Sequence, residues 1–499
     1  MSDIETISKH DSKSIELEIV SPVNDNSTST ANDFNATNVR DGMNGFHGPY
    51  RLYKRRFLGL FGMVVLNIVG GLSWPWFGPI ANDMVSDFGI TLDQASWLGT
   101  IEACLYLPTA LSIPYLYNRF GLRRCCDFGA AALVISAWIR YAGTVKSLST
   151  NSSYALLMLG QCFAAIAQPI YQVLGPKYSE NWFNLQGRTT ATMVVAIANP
   201  VGSAIGQLLS PLVGGTRQSI LVLGIISTAV VPFVFLVHSQ PPTPPSKSSL
   251  VLSSVMEQYT NHFRCHLARD VIFGGQSHGA KMSRRQRFDF MVIAWIFGIL
   301  VAATNTFSIL TSQIMQPVGY SDDISGLMGA CLLLTGLVAA IITAPLFDRV
   351  FTKHLAVSAK VLLPILGGGW LSLIWAVKPR NTGGLFTIMT ILGVTSVTML
   401  PVGLELASDL TRNAEGSSAI LWFMGNLFNI VFVLVEDALR APANADPPLN
   451  MRRGLIFNGV FVLASVLLIW LVKGEQVRKT LDEEKVAESR GGGGVVRGV

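Results

Sequence analysis

Charge is scarce in this chain: 14% of its 499 residues are Asp, Glu, Lys or Arg, half are hydrophobic, and mean hydropathy is +0.44. Soluble chains carry about a quarter charged residues, so a water-soluble globular fold is excluded. Cysteine is thin too. The six, at 104, 125, 126, 162, 265 and 331, include no C-x-x-C spacing, which leaves no basis for a disulfide framework or a zinc site. A nucleotide-binding loop, HExxH and GxSxG are also missing. Neither an enzyme nor a cofactor is expected.

What the chain has instead is long apolar runs. A helix of roughly 20 mainly apolar residues crosses the bilayer core, and such windows recur from residue 57 onward. Spans are expected at 57–81, 95–117, 125–145, 153–177, 188–212 and 218–238, then at 288–315, 324–347, 355–377, 383–407, 416–437 and 454–472. The reading is an all-α membrane protein of twelve transmembrane helices. Prolines and glycines inside the spans do not veto them, because membrane helices tolerate both.

The segments outside the spans differ in kind. Residues 1–48 are rich in Ser, Asn and Asp with no apolar run, which predicts a disordered tail; no cleavable signal peptide is expected, since no short apolar core follows Met1. Residues 475–499, ending "RGGGGVVRGV", read as a flexible tail. The linker at 239–287 carries Leu252, Met256, Tyr259, Phe263 and Leu267 at roughly helical spacing, which favours an interfacial amphipathic helix over a metal or haem site at His262 and His266. The net charge of +6 is accounted for by loops facing an anionic leaflet, with no nucleic-acid partner.

Basic residues set the orientation. Arg51, Lys54, Arg55 and Arg56 precede the first span, Arg119, Arg123 and Arg124 follow the second, and Lys281, Arg284, Arg285 and Arg287 precede the seventh. These segments are expected on the cytoplasmic side, with both termini. The first loop carries only acids, Asp83, Asp87 and Asp93, and so does the seventh-to-eighth connection, with Asp322 and Asp323. Lys378, Arg380, Arg452 and Arg453 run against the rule.

The two stretches "PYLYNRFGLRRCC" (114–126) and "TAPLFDRVFTKH" (343–354) stand at the interval that separates the two series of six spans. The chain therefore reads as two six-helix pseudo-repeats, 50–238 and 288–474, as in transporters whose binding site lies between two rocking halves. Short basic loops after the second helix of each half resemble the major facilitator superfamily. Asn118 replaces the expected Asp in the first copy, and the second keeps Asp348 but lacks the Gly. The resemblance implies cytoplasmic gates in which Arg119, Arg123, Arg124 and Arg349, with Asn118 and Asp348, meet acidic groups such as Glu180, Glu405 and Asp409. Lipid anchoring by the arginines is the other reading.

Longer segments, "NIVGGLSWPWFGPIAND", "GQCFAAIAQPIYQVLGPKYSENWF", "NPVGSAIGQLLSP" and "PVGLELASDLTRNAEGSSA", resemble the feline leukaemia virus subgroup C receptor family, solute carrier family 49. That family is linked to choline and ethanolamine transport, haem export and, in one branch, pyridoxine. By position the resemblance implies that Trp74 caps a substrate ammonium by cation–π attraction and that Gln168 is a cavity glutamine. The family's helix-seven Tyr falls at Asn305, with Phe307 close by, and its helix-eleven Gln falls at Leu427, beside Asn426. Gln313 adds to the polar lining.

Glu102 and Arg140 stand at equal offsets on either side of Gly121. Charges inside the bilayer need partners, so an ion pair is expected, with proton coupling through Glu102 as the alternative. All seven histidines fall in tails, loops or span ends, away from any central iron. The functional expectation is a monomeric, multi-pass secondary transporter in the plasma membrane or an endomembrane such as the vacuole or lysosome. It would facilitate movement of a small organic cation or amine by alternating access. The alternatives are an exporter of haem or another metabolite, and a non-transporting receptor or sensor on the same fold.

Overall fold

The computed structural model describes residues 52–183, 185–243, 283–349, 355–411 and 414–473; within these, the side chains at 114, 118, 180, 185–189, 343–349, 355, 401, 405, 408, 409 and 414–416 are not described. The polar tails and the amphipathic helix expected near 252–267 lie outside the described residues. Regular structure among the described residues is helical throughout.

The first span is interrupted. Helix α1 (Arg55–Ser73) stops at "SWPWFGP", where Pro75 and Pro79 have no N–H to continue it, and the chain resumes as the short helix α2 (Ala81–Phe88). The expected loop between the second and third spans is reduced to one residue. Helix α3 (Leu92–Ala142) opens on a Thr91–Gln94 capping box and is helical on both sides of Gly121, whose φ of 77° and ψ of 165° break it into two limbs. A side chain would be strained at that φ, so glycine makes the abrupt turn possible.

There follow α4 (Thr150–Trp182), α5 (Leu185–Leu212), α6 (Thr216–Val230, prolonged as a 3-10 turn to Leu236), α7 (Arg284–Met315), α8 (Asp322–Arg349), α9 (Leu355–Ala376), α10 (Thr382–Thr411), α11 (Ala414–Ala438) and α12 (Arg452–Leu467). Eleven helices among the described residues are long and apolar enough to cross a membrane. The first limb of α3 is the one that falls short of the expected twelve; it carries Asp93, Gln94 and Glu102. The large apolar side chains of Leu111, Phe235, Ile342 and Trp375 are exposed on the outside of the bundle, as a lipid-facing surface requires.

Buried apolar residues form two clusters. One runs from Met63 to Val237; the other runs from Phe290 to Val472 and takes in Ala204. Between the N-terminal and C-terminal parts of the chain, α5 packs on α8 and α11 packs on α3.

Candidate functional site

The last turns of α1 gather polar side chains from α4 and α5. Gly70 leaves room for Gln168, whose Cα is 3.5 Å from where a Cβ would sit, and the neighbouring Gly71 faces Asn199. At the helix break Trp74 donates its indole N–H to Ser203 Oγ at 2.8 Å, and that oxygen lies 3.1 Å from the carbonyls of Gly71 and Asn199. Asn199 Nδ2 has no partner. Trp74, half-buried, also packs against the C-terminal apolar cluster. The structure thus brings Trp74 into one neighbourhood with Asn199 and Ser203, with Gln168 one helical turn away at Gly70. An aromatic face beside an unfilled amide donor can hold a cation that carries a polar end.

The other residues expected at the substrate site are placed differently. Phe307 is 1% exposed and packs edge-on against Trp370 at 6.0 Å, so it belongs to the C-terminal core and cannot supply a second cage ring. Gln313 is 2% exposed and ties helices together, as described below. Asn426 donates to the Trp422 carbonyl of its own helix at 3.0 Å. Asn305 is half-buried on α7 between two bonded threonines, Thr304 to Ser396 and Thr306 to Asn429.

The expected Glu102–Arg140 ion pair is relayed rather than direct. Both side chains are buried, and Gln161 stands between them: Arg140 Nη1 donates to Gln161 Oε1 at 2.6 Å, and Gln161 Nε2 donates to Glu102 Oε1 at 3.3 Å and to the Leu98 carbonyl at 2.8 Å. Ser73 also donates to Glu102 Oε1 at 3.0 Å. Equal offsets from Gly121 placed the two charges at one level, but they could not supply the third helix, α4, whose amide fits both.

At the end of the bundle that holds Asp93, a guanidinium joins the two parts of the chain. Arg440 donates to Asp93 Oδ1 at 2.7 Å and to Gln313 Oε1 at 2.6 Å, and pairs with Asp437. Gln313 Nε2 and Asp437 both bond Ser96 Oγ, at 2.9 and 3.1 Å. Nearby, the α1 break docks on α7: Ser312 N–H meets the Gly78 carbonyl at 3.4 Å, and Asn82 donates to Ser312 Oγ at 2.8 Å. This end is closed. Asp93 is 66% exposed and Arg440 10%, so the strength lies in the buried arms to Gln313 and Asp437 rather than in the solvated pair. Arg440→Ala is expected to loosen it. If the clamp contributes ~1.4 kcal/mol, the open population rises about tenfold, read as faster maleimide labelling of Ser308→Cys, under Gly78, in a chain without its native cysteines. An unchanged rate would mean that the clamp carries no gating energy.

At the opposite end Arg123 turns toward its own half. It pairs with Asp127 at 3.0 Å and donates to the carbonyls of Val234 and Val237 at 2.7 and 2.6 Å, where a cation is favoured at the end of the turn that prolongs α6. Arg119 donates to Tyr115 Oη at 3.1 Å and Arg124 is exposed. The side chains of Asn118, Glu180, Asp348, Arg349, Glu405 and Asp409 lie outside the described residues.

Sequence reading passed over Gln161, Ser203, Asp437, Arg440 and the fully buried Glu436, which accepts from Asn458 Nδ2 at 2.7 Å. The acids were detectable, since a charge within an apolar run is a signal in itself. The serine and glutamine were not, because uncharged polar residues occur throughout these helices.

The family model described as the Major Facilitator Superfamily matches residues 63–434. Solute carrier family 49 member A3 of Xenopus tropicalis is 26% identical over 429 residues, 83% of this chain and 84% of the relative. A Danio rerio protein named Choline/ethanolamine transporter flvcr2a is 24% identical, across 87% of this chain and 90% of the relative. Among solved structures a D-xylose-proton symporter superposes with a TM-score of 0.62 at 13% identity, over 84% of this chain and 99% of the other; at that identity the likeness is one of fold.

Proposed function

The chain belongs to the Major Facilitator Superfamily, and from that membership we propose that it facilitates transmembrane movement of a small organic cation or amine of the choline and ethanolamine kind. Its relatives and fold neighbours are transporters by name, not enzymes. The single observation that carries the substrate class is Trp74, held by Ser203 at the α1 break beside the unpartnered amide of Asn199. Closure at the Arg440 end favours an alternating-access cycle in which that end opens in another state. The basic residues at the Arg123 end support an orientation with the Arg440 end outside and both termini in the cytoplasm. In intact cells an impermeant maleimide should then reach Ser308→Cys; labelling only after permeabilisation would reverse the topology.

Transport is tested by choline and ethanolamine uptake into vesicles reconstituted with the chain, at symmetric pH and with the proton gradient collapsed at constant voltage. Facilitated flux persists under those conditions. A second reading, proton coupling, draws on Glu436, a buried carboxyl whose hydrogen-bond partner is an amide; loss of flux when the proton gradient alone is dissipated would favour it. No flux of either compound in any condition would sink the substrate class.

A further inference from the structure

The break at the end of α1 leaves backbone groups on both sides of Trp74 that other helices must satisfy. Pro75 has no N–H to return to the Gly71 carbonyl four residues back, and Ser203 Oγ of α5 donates to that carbonyl at 3.1 Å while accepting the Trp74 indole N–H at 2.8 Å. On the other side of Trp74 stands Ser73, 1% exposed. Its hydroxyl lies 3.0 Å from Glu102 Oε1 on the first limb of α3 and 3.2 Å from the Gly70 carbonyl, and its own carbonyl lies 3.5 Å from Gln161 Nε2 of α4. A hydroxyl has one proton to donate, and a charged acceptor binds it more strongly than a neutral one. Glu102 is therefore the principal partner of Ser73.

Ser73 is thus the point at which the buried charge network touches the break. Glu102 Oε1 receives both Ser73 and Gln161, and Oε2 has no partner, so the carboxylate draws those two donors together. Gln161 is fixed in turn by the Leu98 carbonyl at 2.8 Å and by Arg140 at 2.6 Å. Linking the two charges needs only Gln161, which bonds both. What Ser73 adds is a tie from that network to the residue next to Trp74.

We infer that Ser73 is a positioning residue for Trp74: through Glu102 and Gln161 it fixes the backbone from which the side chain springs, while Ser203 fixes the indole edge, so that the ring keeps one orientation and presents one face to the cation. A ring tethered only at its N–H can still swing about that bond. Fixing it at two points removes the freedom, and a binding group ordered beforehand lowers the cost of binding. The anchors stand on α3, α4 and α5, all in the N-terminal part of the chain, so the ring keeps its orientation while the C-terminal part moves against it. The inference rests on the proposed transport reading for the cation, but not for the orientation of the ring.

The test follows the ring itself. The full chain is labelled with 5-fluorotryptophan and placed in lipid nanodiscs, and the fluorine NMR signal missing from Trp74→Phe is that of Trp74. One sharp signal is expected in the unsubstituted chain. In Ser73→Ala, which puts a good helix former in the last turn of α1, that signal should broaden or divide while the other tryptophan signals stay in place. The same variant should raise KM for choline about fivefold, the worth of one hydrogen bond, and leave kcat within about twofold. On a Trp74→Leu background, where no ring remains to be aimed, Ser73→Ala should change KM less than about twofold. An unaltered Trp74 signal overturns the inference, and so does a change spread over all the tryptophans, which would make Ser73 a general packing residue. An equal rise in KM on both backgrounds overturns it too. The transport reading fails separately: absent choline flux in the unsubstituted chain, with a Trp74 signal that still depends on Ser73, removes the substrate class and leaves the positioning role.

Discussion

Replacing Trp74 by leucine is expected to lower kcat/KM for choline uptake about a hundredfold, whereas phenylalanine should lower it about fivefold. Two losses are involved, one shared by both variants and one peculiar to leucine. Either substitution removes the indole N–H that donates to Ser203 Oγ at 2.8 Å, and a neutral hydrogen bond is worth about 1 kcal/mol, or about fivefold. Leucine also removes the aromatic face, and a desolvated cation–π contact contributes about 2 kcal/mol, a further factor of about thirty. With Phe307 turned into the core against Trp370, no second ring from that position compensates. Initial uptake rates across substrate concentrations, with surface abundance matched, provide the check. Equal losses in the Leu and Phe variants would reduce Trp74 to a packing and hydrogen-bonding residue and remove the cation site with it.

The second large effect is on stability, at Glu102, Gln161 and Arg140. Removing one member of a buried charge pair costs about 3–5 kcal/mol, because the other is left uncompensated in a medium of low dielectric. Arg140→Gln and Glu102→Gln should each fall in that range. The double variant should cost less than their sum. Since Gln161 bonds both partners and the Leu98 carbonyl, Gln161→Leu should destabilise nearly as much as either charge removal, although no charge is lost. Unfolding of the single, double and Gln161 variants in one detergent gives the coupling. Additive losses for Glu102 and Arg140, with a near-silent Gln161→Leu, would show that the relay contributes nothing.

Much of the architecture was legible because a bilayer imposes a length and a polarity on whatever crosses it. The apolar windows after residue 57 correspond to helices, and the mistakes in reading them have local causes. At 57–81 the window counted apolar residues without weighting Pro75 and Pro79, which end α1 at Ser73. At 118–124 the charges suggested a loop, yet arginines are good helix formers and Gly121 alone makes the turn. Trp74 was reached through the resemblance to a known family and not through the prolines that follow it, and Phe307, Gln313 and Asn426 lie on continuous helices, where nothing in the sequence tells which face turns inward.

What the sequence by itself determined is therefore the solvent, the class of secondary structure and the places where charge had to be reconciled with lipid: low charge and repeated apolar runs admit a helical membrane protein and little else. Tertiary structure alone decided the partners. Glu102 needed a counter-charge, but that Gln161 of α4 would carry the link depends on how a third helix crosses the two limbs of α3. Arg440 needed acids, but its reach to Asp93 and Gln313 depends on the two parts of the chain closing at that end. Both are contacts between residues more than twenty positions apart, set by side-chain packing across helices that are apolar on most faces. Periodicity cannot resolve such packing, because a helix surrounded by lipid and other helices has no single polar side to orient it.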